Sequence, residues 1–170
     1  MSNPLTQWLV SQQQEMIKLL ADLVNIDSNS FDKKGVDKVA DRLRIFFDAY
    51  SIPHETIPQE NHGDILRAVV SGGEGNRPLL LCGHRDTVFP TGEVEKRPFE
   101  IKNGRAFGPG VADMKPGLVM NAFILAAFSK FGGQQNPIVG LFTGDEEIGS
   151  PVSQDVIVAE AKKARLAFNS

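Results

Sequence analysis

A continuous apolar segment over residues 116–131 lies between two short apolar runs, and this order constrains the fold more than any other feature of the chain. Its length, and the Gly132-Gly133 pair that follows it, predict a largely buried helix. The runs on either side, 78–82 and 137–143, have the length of strands, and 137–143 is apolar on both alternating sets, as in a strand buried on both faces. A strand–helix–strand order of this kind predicts an α/β layered domain whose sheet is at least partly parallel.

The other predicted elements come from weaker patterns. Apolar residues recur at three- and four-residue intervals over 5–26 and over 36–50, which predicts two amphipathic helices. The further predicted elements are, in chain order, strands at 64–70 and 78–82 joined by a tight turn at 72–76, a helix that starts at Ser150-Pro151 and reaches about Lys163, and a strand at 165–168.

The composition fits one compact domain and excludes several classes of partner. A chain of 170 residues is long enough for one domain with a core. The formal net charge of -3 gives no electrostatic basis for nucleic-acid binding. The single cysteine, Cys82, excludes an internal disulfide framework and, with first residues that lack the pattern of a signal peptide, predicts a cytoplasmic protein. No apolar stretch approaches the roughly 20 residues that span a bilayer, so we expect no membrane partner.

Three polar clusters interrupt the apolar pattern directly after a predicted strand or directly before the predicted buried helix. They are Gly83-His84-Arg85-Asp86-Thr87, Gly108-Pro109-Gly110-Val111-Ala112-Asp113-Met114-Lys115 and Thr143-Gly144-Asp145-Glu146-Glu147-Ile148-Gly149. In open α/β sheets the ligand crevice lies outside the carboxyl ends of the strands, which is where the first and third clusters fall. We therefore expect the clusters to converge on one site.

Each cluster also has a purely structural interpretation. His84 and Asp86 point to the same side of an extended chain, so His84 can bind a metal ion with Asp86 as its orienting carboxylate; a short pattern of this kind is more often a polar strand end. Asp113 precedes a helix, where an aspartate often only caps the backbone. The three consecutive carboxylates of the third cluster repel one another unless a cation or solvent compensates, and an acidic surface turn is the alternative.

The ligand types in the three clusters indicate a catalytic rather than a structural metal site. One imidazole and several carboxylates, without a cluster of thiolates, favour Zn²⁺, with Co²⁺ or Mn²⁺ as substitutes. Two such ions about 3.5–4 Å apart, bridged by a carboxylate, activate water and polarise a substrate carbonyl. Adjacent glutamates then divide into one metal ligand and one base.

In the same order and at similar intervals, the three clusters resemble motifs of the dizinc exopeptidase family of glutamate carboxypeptidase, aminoacylase, acetylornithine deacetylase and succinyl-diaminopimelate desuccinylase. The resemblance covers nearly the whole chain and is strongest to the glutamate carboxypeptidase branch. It implies a mixed sheet flanked by helices. It also implies hydrolysis of an amide bond next to a free carboxylate, as in a carboxypeptidase or an N-acyl amino acid deacylase, with a small peptide or an N-acyl amino acid as the substrate.

The resemblance implies a role for five side chains. His84, Asp113 and Glu147 would be metal ligands, with Asp113 bridging two Zn²⁺ ions. Asp86 would hold and tune His84. Glu146 would take a proton from the bridging water and pass it to the leaving nitrogen, as a general base and then a general acid.

By the same resemblance, residues 1–170 would be the amino-terminal part of the catalytic domain. The family's lid domain, which also serves homodimerisation, and the carboxyl-terminal half with further metal ligands are expected outside these residues, so we expect the isolated chain to be inactive or nearly so.

Two other interpretations are a non-catalytic remnant that acts as a folding or interaction module, and a Mg²⁺-dependent phosphohydrolase. The ligands of the phosphohydrolase would come from His84, Asp86, Asp113 and Asp145. The paired glutamates, without a phosphate-binding glycine and lysine loop, disfavour that second interpretation.

Overall fold

The computed structural model describes residues 3–74 and 77–170 and contains a mixed sheet with helices on both faces. The helices are α1 (Pro4–Ser11), α2 (Gln13–Val24), α3 (Lys33–Ala49), α4 (Glu93–Lys96), α5 (Lys115–Phe131) and α6 (Gln154–Lys163). The strands are β1 (His54–Ile57), β2 (Ile65–Val70), β3 (Leu79–His84), β4 (Glu100–Lys102), β5 (Arg105–Phe107), β6 (Ile138–Thr143) and β7 (Leu166–Asn169), and a 3-10 helix spans Glu146–Ile148. The predicted α/β class and the mixed sheet flanked by helices are confirmed.

Strand β6 lies at the centre of the main sheet because both of its faces are apolar. All six of its residues are buried. The main sheet has five strands in the order β1-β2-β6-β3-β7, and β6 pairs antiparallel with β2 and parallel with β3. Strand β7 then pairs parallel with β3, and β1 pairs antiparallel with β2. The sheet is therefore partly parallel, as the sequence predicted.

The predicted tight turn between β2 and β3 is wrong, because β6 lies between these two strands. The connection instead passes the start of β6 so closely that a Cβ on Gly72 would lie 2.3 Å from the carbonyl carbon of Asn136. A glycine at this position lets the two backbones approach. Residues 75 and 76 of the predicted turn lie outside the described residues.

Two hydrophobic cores hold the helices on the sheet. The larger core joins α2, α3 and α5 to one face, with the rings of Phe46 and Phe123 at 4.9 Å and those of Phe47 and Phe142 at 5.7 Å between centroids. The smaller core packs α6 against the other face. In the part of the chain that the structure describes, no helix combines the length and the apolar character needed to cross a bilayer.

The first predicted helix, over 5–26, is two helices that meet at Gln12. The hydroxyl of Ser11 donates to the carbonyl of Trp8 at 2.7 Å, which is the acceptor that a continuing helix would offer to the N–H of Gln12. That N–H turns to the carbonyl of Leu9 instead, at 3.1 Å. The helix therefore breaks where the hydroxyl of Ser11 takes the carbonyl of Trp8 that the N–H of Gln12 would otherwise use. The spacing of apolar residues does not reveal this competition.

The last helix also begins later than predicted. Residues 151–153 form a turn, and Ser153 rather than Ser150 is the N-cap residue of α6. The sequence prediction omitted β1, α4 and the β4–β5 hairpin altogether. These elements are only three or four residues long, which is too short for a periodic pattern to be recognised.

Glu160 of α6 has two charged partners, Lys163 on the same helix and Arg67 on β2, and the contact with Arg67 ties the helix to the sheet. Its carboxylate accepts from Lys163 Nζ at 2.7 Å and from Arg67 Nε at 3.3 Å, and the residue is 7% exposed. Burial alone would raise the pKa of Glu160, but the hydrogen bonds from Lys163 and Arg67 lower it below its ordinary value. The charged form is therefore more favourable in the native protein than in the unfolded chain.

We expect Glu160→Gln to lower the free energy of unfolding by about 1–2 kcal/mol at neutral pH. The loss should shrink as the pH falls from the ordinary value of 4.5 through the lower pKa of Glu160 in the folded protein, because the wild-type carboxylate is then protonated in both states and no longer favours the folded one. Urea unfolding followed by circular dichroism across this pH range measures both effects. Glu95→Gln, at an exposed position of α4, is the control, and an equal loss at every pH would contradict the prediction.

Candidate metal centre

Parallel pairing brings the first and third clusters to one edge of the sheet. Strands β3 and β6 are neighbours that run in the same direction, with His84 in register with Thr143. The N–H of Arg85 still donates to the carbonyl of Thr143 at 2.9 Å. The chain therefore leaves both strands at the same point, and the structure brings these two clusters together as the sequence predicted.

The second cluster reaches the same edge from the start of α5. The sulfur of Met114 accepts from the N–H of His84 at 3.0 Å, and a Cβ on Gly83 would lie 2.8 Å from the Met114 methyl carbon. Met114, and not Asp113, is the N-cap residue of α5. The peptide bond between Asp113 and Met114 is cis. The Asp113 carboxylate lies 3.1 Å from Nε2 of His84 instead of capping the helix.

Among the described residues, His84, Asp113 and Glu147 form a group that can hold a metal ion. One ligand atom from each side chain lies within 4.8 Å of the other two. The His84 side chain is 7% exposed and that of Asp113 is 75% exposed, so the group opens to solvent on the side of Asp113. One imidazole nitrogen with two carboxylate oxygens is a donor set that fits Zn²⁺. The three predicted ligands thus converge, and their binding of metal stays a prediction.

His84 is oriented by Asp86 so that its other nitrogen faces the carboxylates. Nδ1 of His84 lies 3.1 Å from the main-chain oxygen of Asp86 and 3.3 Å from its Oδ1. Nε2 lies 3.6 Å from a carboxylate oxygen of Glu146. Burial opposes a charge on the ring, but the hydrogen bond to Asp86 and the charges of Asp86 and Glu146 raise the pKa of His84 to about 9. The surroundings of Nε2 therefore favour a cation, whether a proton or a metal ion.

Asp86 links the first cluster to the third. Its carboxylate is 1% exposed; Oδ1 accepts from the N–H of Glu146 at 3.2 Å, and Oδ2 accepts from the N–H of Glu147 at 3.1 Å. The hydroxyl of Ser30 also donates to Oδ2, at 2.7 Å. Burial would raise the pKa of Asp86, but the hydrogen bonds from His84, Ser30 and Glu147 lower it. The sequence predicted a partner role toward His84 and missed the two glutamate amides.

The three consecutive carboxylates of the third cluster have different surroundings. Asp145 is buried, and its Oδ2 accepts from the N–H groups of Val152 and Ser153 at 2.8 and 3.1 Å. It therefore fixes the loop before α6 and lies outside the ligand group. The Glu146 side chain is 54% exposed. Burial raises the pKa of Glu147; His84 opposes this shift, and the neighbouring carboxylates add to it.

Arg85 lies inside the protein directly beside the site. Its side chain is fully buried, with the guanidinium donating to the carbonyl of Val36 at 2.8 Å and to that of Asp64. Burial lowers the pKa of Arg85 to about 10. The side chain points away from the ligand group and ties the first cluster to α3 and to the loop before β2. The sequence predicts a solvated or paired side chain at this position, and the burial of Arg85 was missed because an arginine next to two polar residues carries no signal of burial.

An oriented histidine and carboxylates that could bind a metal ion, at the carboxyl ends of β3 and β6, define a candidate site for a metal-dependent hydrolase. A sequence profile of Peptidase family M20/M25/M40 matches residues 80–168, which include all three clusters. The chain therefore belongs to this peptidase family. The resemblance inferred from the three clusters is confirmed.

Two relatives match over most of this chain. Carboxypeptidase G2 of Pseudomonas sp. (strain RS-16) is 32% identical over 166 residues, which is 95% of this chain and 40% of that protein. Succinyl-diaminopimelate desuccinylase of Thioalkalivibrio sulfidiphilus is 44% identical over 161 residues, which is 89% of this chain and 40% of that protein. The chain thus spans about 40% of the length of these two relatives.

Solved structures share the fold. Human carnosine dipeptidase 1 superposes with a TM-score of 0.79 at 16% identity, over 98% of this chain and 40% of that one. A metallo-carboxypeptidase of the M20 family from Sulfolobus solfataricus gives a TM-score of 0.75 at 22% identity, over 91% of this chain and 37% of that one. At these identities the similarity establishes the fold, and the chemistry rests on the residues of the site.

Proposed function

We propose that this chain carries part of the active site of a metal-dependent amide hydrolase, acting as a carboxypeptidase or as an N-acyl amino acid deacylase. The observation that carries the proposal is the group of His84, Asp113 and Glu147, whose ligand atoms lie within 4.8 Å of one another. Glu146 lies directly beside this group. The carboxypeptidase and the desuccinylase among its relatives support an amide as the bond that is cleaved.

In this proposal, different residues of the site bind metal ions and transfer protons. His84, Asp113 and Glu147 would hold divalent ions, Zn²⁺ or in its place Co²⁺ or Mn²⁺, with Asp113 shared between two of them. When bound, the ions would lower the pKa of a water molecule and polarise the substrate carbonyl. Nδ1 of His84 contacts Asp86, so Nε2 is the nitrogen that would bind a metal ion.

Glu146 is the proton carrier of the proposal. Its carboxylate is half-exposed and lies 3.6 Å from Nε2 of His84, so it can reach both water and substrate. It would accept a proton from water during attack and donate it to the leaving nitrogen. This assignment of the two glutamates rests on the family resemblance and on the place of Glu147, rather than Glu146, in the ligand group.

The environment of Asp145 weighs against a magnesium phosphohydrolase. Its Oδ2 is already used by two backbone N–H groups before α6. Asp145 is also absent from the group of His84, Asp113 and Glu147 whose ligand atoms lie close together, so the phosphohydrolase lacks one of its expected ligands in that group. The substrate that we propose is a small peptide or an N-acyl amino acid. A homodimer and a cytoplasmic location complete the proposal, and we expect neither nucleic acid nor membrane as a partner.

We expect the full-length protein to bind two divalent transition-metal ions per subunit after reconstitution with zinc. Elemental analysis of the dialysed protein measures the ratio. His84→Ala should remove most of this metal, whereas His54→Ala should retain it, because His54 lies on edge strand β1 and hydrogen-bonds to the carbonyl of Ile52. A folded wild-type protein with almost no metal would overturn the proposed function.

A further inference from the structure

A short segment between α2 and α3 lies alongside the first cluster. Asn29 forms an isolated parallel bridge with Thr87, and the N–H of Thr87 donates to the carbonyl of Ser28 at 2.8 Å. Nδ1 of His62 lies 3.2 Å from the carbonyl oxygen of Ser30. The main chain at Ser30 is therefore braced from two sides, and its side chain is directed inward with 2% of the residue exposed.

The hydroxyl of Ser30 meets the carboxylate that links the first and third clusters. It donates to Oδ2 of Asp86 at 2.7 Å, the same oxygen that accepts from the N–H of Glu147. The other oxygen of Asp86 accepts from the N–H of Glu146. Of the partners that the described residues offer to the Asp86 carboxylate, the two amides and the imidazole belong to the first and third clusters, and Ser30 alone comes from outside the three clusters.

We infer that Ser30 is a positioning residue of the active site, which acts through Asp86 to hold the main chain of Glu146 and Glu147 and the ring of His84. A carboxylate that is 1% exposed can change its orientation when one of its donors is lost, because water cannot readily replace the donor. A rotation of Asp86 would move the acceptors of both glutamate amides and of the imidazole together. The predicted ligand and the predicted base therefore depend on a hydroxyl that touches neither substrate nor metal.

Ser28 offers a matched control for Ser30. It lies in the same segment, it is 1% exposed, and its hydroxyl has no hydrogen-bond partner among the described residues. Ser28→Ala and Ser30→Ala remove the same atom from equally buried sites. A general loss of packing would affect both variants, whereas loss of the Asp86 contact would affect Ser30→Ala alone.

The experiment measures zinc affinity by competition with a chelator, kcat and KM on an N-acyl amino acid, and the unfolding temperature, all in the full-length protein. Ser30→Ala should weaken zinc binding by about tenfold and lower kcat by about tenfold, in the range found for residues that orient metal ligands, with little change in KM. Ser28→Ala should stay within about twofold of the wild type. Ser30→Thr, which keeps the hydroxyl, should recover most of the loss.

A double-mutant cycle tests whether Ser30 acts through Asp86. In an Asp86→Asn background, Ser30→Ala should change zinc affinity by less than about twofold, because the charged acceptor is already gone. A full tenfold loss in that background, or equal effects of Ser30→Ala and Ser28→Ala, would overturn the inference. The inference rests on the proposed hydrolase function. A wild-type protein that binds no metal refutes that function. A wild type that binds metal, together with a Ser30→Ala variant of unchanged zinc affinity and kcat, refutes only the role of Ser30.

Discussion

Glu146→Gln should lower kcat by about a hundredfold or more and leave the metal content of the full-length protein unchanged. The substitution removes a proton acceptor whose contribution in such reactions is about 10²–10⁴-fold, and it keeps the size of the side chain. Glu146 lies 3.6 Å from His84 but outside the group of His84, Asp113 and Glu147. Its loss therefore removes proton transfer without removing a ligand.

Glu147→Gln is the matched comparison, one residue away in the same 3-10 helix. Because Glu147 belongs to the ligand group, this variant should lose metal as well as activity. Elemental analysis and steady-state kinetics compare the two variants. If the roles are assigned correctly, Glu146→Gln loses activity and keeps its metal, whereas Glu147→Gln loses both. Near wild-type turnover of Glu146→Gln on N-acyl amino acids would show that the base is another group.

Residues 1–170, expressed alone and supplied with zinc, should hydrolyse N-acyl glutamate and dipeptides no faster than zinc in buffer does. Catalytic zinc sites use about three protein ligands for each ion, and the described residues contain one group of three potential ligands. That set can hold one ion and leaves a second ion without its own ligands. Edge strand β7 also exposes Leu166 and Phe168, at 55% and 50%, which favours association between copies of the chain.

The assay is run with and without a chelator while light scattering follows the mass in solution. A soluble monomer with strong, chelator-sensitive hydrolysis would contradict the prediction, since it would mean that these residues complete the site by themselves. Wild-type full-length protein under the same conditions serves as the positive control. Activity in the full-length protein alone would agree with a site that needs more ligands than these residues supply.

The parts of the fold with strong hydrophobic patterns could be predicted from the sequence. The apolar run that became α5 and the doubly apolar run that became β6 were recognised because burial leaves a periodic or continuous signature. The neighbours of β6 could not be predicted. Whether β2 pairs with β3 or with β6 depends on how the whole sheet packs, and a local turn signal between two strands carries no information about a third strand.

Site residues were predictable where each polar side chain interrupts an apolar pattern. His84, Asp113 and Glu147 stand out in this way, and the structure gathers them into one group. Ser30 and Arg85 did not stand out. A serine in a polar break resembles any loop residue, and the burial of an arginine is decided by distant carbonyl groups such as that of Val36.

The central place of β6 has a consequence for biosynthesis. Its partners β2 and β3 both precede it in the chain, so a ribosome releases them well before the strand that joins them has been made. Until Thr143 has left the exit tunnel, β1 and β2 are the only described strands of the main sheet that can pair with each other. Leu80 of β3 then still lacks the core neighbours Val139, Leu141 and Ala164. Long-range pairing of this kind is slow and prone to aggregation. Molecular chaperones that bind exposed apolar segments would therefore meet this protein at a defined stage of its synthesis, just before the clusters of the candidate metal centre come together.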